Sequence, residues 1–167
     1  MSERKDDKSE IQKTDVIKRT LYSLIYVSRS KTSKDYAWSI IKRIIEELKA
    51  DYDFLKYIKI GEIDKINDSI NDICVMSDFN KVESKRIGSA IQRIIDTFKT
   101  RMGNKAGYFF LTEFKEILGD EYHLIIKEMG VDLRLIELQS SIYGWDSGKH
   151  KIKSSYDSNI AYIEKND

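Results

Sequence analysis

The sequence predicts a mainly α domain of about five to seven helices. Three observations lead there. Apolar residues recur at three- and four-residue steps, most regularly at Ile87, Ile91, Ile94, Ile95, Phe98 and Met102. The 167 residues contain no proline, so glycines and capping side chains must mark the helix ends. Charged residues make up 34% and hydrophobic residues 41%, enough of each for charged outer faces around one core.

Residues 1–13 read as a flexible arm, with charges of both signs and little to bury. Residues 14–167 read as a single helical domain, with a turn-rich extension from about residue 142. The first helix spans 14–28, capped by Thr14, with Asp15 at its positive end. The second spans 33–48 behind the N-cap Ser33. It gathers Tyr36, Ala37, Trp38, Ile40, Ile41, Ile44, Ile45 and Leu48 on one face.

The stretch 51–75 supports two readings. Ile63, Ile66, Ile70 and Ile73 keep helical spacing, and this favours a helix over 62–72. Asn67, Asp68, Ser69, Asn71 and Asp72 favour turns, and the alternative is a β-hairpin pairing 54–60 with 70–76. Ser77 or Asp78 then opens a helix that runs to Met102, stopped by Gly103. Residues 107–118 form an apolar helix ended by Gly119. Asp120 caps the next, over 122–129, which Gly130 closes. Residues 131–139 fit helix or strand. Alternation at 149–153 and 160–163 suggests a second small hairpin within 142–163.

Composition narrows function more than it names it. The 29 basic and 28 acidic residues leave a net charge of +1, with no global pull toward nucleic acid or an anionic membrane. No apolar run approaches the roughly 18 residues of a membrane helix, and the first ten residues hold no apolar signal segment. A cytoplasmic protein without membrane contact is the expectation. The lone Cys74 sits among Ile73, Val75 and Met76 and reads as a buried, inert thiol.

The familiar chemical motifs are missing. There is no glycine-rich phosphate loop, no dinucleotide fingerprint and no nucleophile elbow. His123 and His150 have no identifiable partners, and the second lies among lysines. One cysteine and two histidines give no zinc spacing, and Ile66 breaks the calcium-loop pattern around Asp64, Asp68 and Asp72. No catalytic set, metal ligand set or cofactor follows, and an enzyme is the less favoured class.

Two features remain. Residues 81–105 carry seven cations against Glu83 and Asp96. Lys81, Lys85, Arg86, Arg93 and Lys99 should form an exposed ridge that could contact nucleic-acid phosphates, unless the acidic segment before it neutralises them. Trp38, Phe110 and Trp145 are candidate interface residues, because the apolar faces look broad for one small core. The expectation is a non-catalytic regulatory or protein–protein interaction module, with a homodimer or a protein partner. Nucleic-acid binding by the ridge is the alternative. A small-ligand sensor or enzyme using Tyr108, Phe109, Phe110 and Phe114 as an aromatic pocket is the third.

Overall fold

Most helices form where the apolar periodicity places them, and the start of the first is held by a side chain from far along the chain. The computed structural model describes residues 10–107 and 109–138, with backbone alone at 104 and 105. Trp145, Tyr108, the second hairpin and most of the N-terminal arm lie outside the described residues. The chain divides after Val131 into two units.

The first unit is mainly α with a small sheet, as the sequence predicts. Its elements are α1 (Lys13–Arg29), α2 (Lys34–Leu48), β1 (Ile58–Ile60), β2 (Ile73–Val75), α3 (Ser84–Met102), α4 (Phe110–Leu118) and α5 (Asp120–Glu128). Short 3-10 turns fill the connections. Helix α1 is central and packs against α2, α3, α4, α5 and β2. It buries Val16, Ile17, Leu21, Leu24, Ile25 and Val27, together with Thr20, Ser23 and Ser28. Those hydroxyls donate to carbonyls one turn back, Val16 O at 2.8 Å, Arg19 O at 2.7 Å and Ile25 O at 3.0 Å. Burial therefore leaves no polar atom unpaired, which would cost about 1–3 kcal/mol each. Of the second unit, residues 133–138 are helical. Leu133 and Ile136 are buried, and Leu135 and Leu138 are exposed.

Several boundaries differ from expectation. Thr14 does not cap α1. The N-cap is Gln12, and Asn80 Oδ1 accepts from the Thr14 N–H at 3.1 Å while Asn80 Nδ2 donates to Gln12 Oε1 at 3.1 Å. Ser33 caps α2 as expected, accepting from the Tyr36 N–H at 3.2 Å. Helix α3 starts at Ser84, because Ser77–Lys81 is a 3-10 turn that leads into extended backbone at Val82. Gly119, with φ of 88°, is the N-cap of α5, and Asp120 is its first helical residue.

The favoured helix at 62–72 does not form, and the sheet alternative does, over 58–60 and 73–75 rather than the full 54–60 and 70–76. Strands β1 and β2 pair antiparallel, with Ile58 opposite Val75, Lys59 opposite Cys74 and Ile60 opposite Ile73. Ser69 and Asp72 hold a tight turn instead of a helix, since Asp72 Oδ2 accepts from the Ser69 N–H at 2.9 Å and Ser69 Oγ from the Asn71 N–H at 3.2 Å. Strand alternation also corrects Cys74. Ile73 is buried, so the next side chain points outward and the thiol is exposed.

Candidate interaction surface

The two aromatic residues proposed for an interface that can be placed belong to the core. Trp38 is fully buried. Its indole N–H donates to Asp68 Oδ1 at 3.0 Å, and Tyr22 packs against its ring with centroids 6.4 Å apart. Phe110 is also fully buried and stacks on Phe98 at 5.7 Å. The residue beside it, Phe109, is 62% exposed. Phe114 fills the core as well, so neither Phe110 nor Phe114 is free to line an aromatic pocket.

Asp68 organises the densest polar cluster in the described structure. It is the one non-glycine residue there with positive φ, 60°, a conformation that aspartate tolerates better than most residues. Its carboxylate pairs with Arg29, which lies 4.2 Å over the Tyr26 ring, and its carbonyl accepts from Tyr22 Oη at 3.2 Å. Lys34 Nζ reaches the Ile66 carbonyl at 3.4 Å. Every one of these bonds ties the 61–69 loop to α1 or α2. The cluster is a latch whose polar groups are already satisfied by the protein.

The basic ridge is partly neutralised, though not by one route. Lys81 lies in the 3-10 turn before α3 and pairs with Asp78 at 2.8 Å, a bond that raises its pKa. Arg86 pairs with Asp53 at 3.2 Å and also lies over the Phe54 ring. Arg101 forks onto Glu47, with Nη1 3.2 Å from Oε1. That hydrogen bond is the main cause holding the Glu47 carboxyl below its ordinary value, with Arg43 adding a smaller attraction. Lys99 is half-buried. Lys85 and Arg93 are exposed, and no ion pair holds either one among the described residues.

The feature that sequence reasoning missed lies on α5. Of its nine residues only Ile126 is fully buried, and Leu124 is 59% exposed. An open groove of about 720 Å³ runs between α5, the N-terminal end of α3 and the residues leading into α1. Its lining is apolar at Ile11, Leu124, Ile125 and Met129 and polar at Glu10, Lys13, Ser84, Glu121 and Glu128. A second cleft of about 310 Å³ shares Glu10, Ile11 and Lys13 and continues to Gln12 and Asn80. Lys13 is committed to the Val82 carbonyl at 2.7 Å, and no ion pair holds Glu10, Glu121 or Glu128 among the described residues. The groove thus combines apolar side chains with carboxylates that have no ion-pair partner among the described residues.

A signal for this surface was present in the sequence. Leu124, Ile125 and Ile126 are consecutive, and at 3.6 residues per turn they sweep about 200° of the helix. A helix at the edge of the core leaves part of that arc uncovered. Compared with known proteins, the chain matches no family model, no curated protein and no solved structure. Among the described residues there is no group of three metal-ligating side chains, and no helix long and apolar enough to cross a membrane.

Proposed function

We propose that this chain is a non-catalytic protein–protein interaction module whose docking face is the groove beside α5. The observation that carries this reading is Leu124, a large apolar residue left 59% exposed in an open groove that Ile11, Ile125 and Met129 also line. The polar clusters support it indirectly. The Asp68 cluster is consumed by holding a loop, and His123 is half-buried on α5 away from the groove lining. A photo-crosslinking residue placed at Leu124 should capture a protein in cells that make this chain. The same residue at exposed Lys59, on β1, should not. Equal capture at both positions, or none at Leu124, refutes the proposal.

The homodimer expected from sequence fits this face poorly. A symmetric pair would bring the same carboxylates of two copies together across the contact, which costs association free energy.

A second reading, nucleic-acid binding by α3, rests on exposed Lys85 and Arg93. Two phosphate contacts give a salt slope of only about 2, so affinity for duplex DNA should fall only about tenfold between about 50 and 200 mM salt. Charge reversal at Lys85 and Arg93 should abolish it. No retention at about 50 mM salt removes this reading.

A further inference from the structure

We infer that the groove beside α5 takes a basic amphipathic helix of another protein. This rests on the docking reading above and names the chemistry of the partner.

Shape comes first. The α5 wall is helical and its backbone groups are spent within the helix, so a partner strand would find no unpaired N–H or C=O row to join along that wall. A helix needs no such row. It can lay an apolar stripe on Leu124, Ile125 and Met129, because the groove is open along its length rather than a closed pit.

Charge then selects the partner. Glu121 and Glu128 flank Leu124 on α5, seven residues apart and so about 10 Å along the axis. Glu10 stands on the opposite wall. An apolar position bracketed by acids at this spacing complements a helix that presents leucine or isoleucine flanked by lysine or arginine one heptad apart. The same carboxylates repel an anionic membrane, a nucleic acid and an acidic helix, and a second copy would oppose like charges. No cation among the described residues is ion-paired to these carboxylates, so a partner's lysine need not displace one.

The test uses the full chain and a pair of labelled synthetic helices of leucine and lysine, or leucine and glutamate, in the same heptad pattern. Fluorescence anisotropy should show the lysine helix binding at least about tenfold more tightly than the glutamate helix, as expected for two close charge pairs. The affinity should fall with added salt. Glu121→Lys with Glu128→Lys should reverse the preference. Glu116→Lys, at an exposed acid on α4, should leave it within about twofold, as expected of a rim charge outside the contact. Leu124→Asp should abolish binding of both helices while thermal unfolding shows the fold intact.

The outcomes separate the two levels of the argument. If the lysine helix does not bind, the inference about the partner fails. If the double charge reversal leaves the preference unchanged, the charge assignment fails. If Leu124→Asp leaves binding untouched, the groove is not the docking face and both readings fail. Dimerisation that Leu124→Asp removes gives the groove to a second copy and overturns the basic-helix partner alone.

Discussion

Three residues set constraints that single substitutions can measure. A Cβ at Gly88 would lie 2.0 Å from the Met129 carbonyl oxygen, so α3 and the C-terminal cap of α5 approach this closely only because the side chain is missing. Gly88→Ala pits a helix-propensity gain of about 0.5–1 kcal/mol against a backbone clash. The clash should win, with a net loss of about 1–3 kcal/mol in urea unfolding. Stabilisation would mean the two helices are not in contact there. At Asp68, alanine would strand Arg29 and the Trp38 N–H and place a Cβ residue other than Asp or Asn at positive φ. A loss of about 3 kcal/mol is expected. Asn should cost less, because it keeps an acceptor for Trp38 and tolerates the conformation. The Glu47 carboxyl titrates below its ordinary value of 4.5 when folded. Its contribution is therefore present above that value and lost as pH falls through the folded pKa. Glu47→Gln should flatten this part of the acid limb of stability, and high salt should shrink the difference because the pair is exposed.

Elements show which parts of this structure the sequence makes legible. Helices α2 and α3 follow from apolar spacing alone, since Ile40, Ile41, Ile44 and Ile45, and likewise Ile87, Ile91, Ile94 and Ile95, are all buried. The 62–72 segment misleads because Ile63, Ile66, Ile70 and Ile73 imitate a helix while lying in two 3-10 turns, connecting backbone and a strand. The turn-forming Asn67 to Asp72 outweigh that spacing once Asp68 has Arg29 and Trp38 to bind. Trp38 could not be placed from its own helix, because its cover comes from Tyr22 and the Asp68 loop. For the same reason the cap of α1 was invisible, since Asn80 lies 66 residues from Thr14. Asn80→Ala should cost about 1 kcal/mol, read as a lower urea midpoint with faster amide exchange in the first turn of α1. Unchanged exchange there would show that the contact does not hold the turn. The candidate site was only half legible: three consecutive apolar residues announce that α5 has a surplus, but not which of them faces out.

The first unit is built around α1 and is lightly tied at α5. Helices α1, α2 and α3 bury most of their apolar residues, whereas α5 fully buries Ile126 alone. Hydrogen exchange should therefore find α5 opening at a lower free energy than α1 to α3, and a bound partner helix should slow it. Exchange of α5 only by global unfolding would contradict this gradient. The central position of α1 also has a consequence in time. Arg19 donates to the carbonyls of Ile117 and Leu118, 98 and 99 residues further on. At roughly 5–20 residues per second, those carbonyls emerge from the ribosome about 5–20 s after α1 does. Throughout that interval the part of α1 that α4 and α5 cover waits for its partners, and a chaperone that delays collapse would be its natural companion.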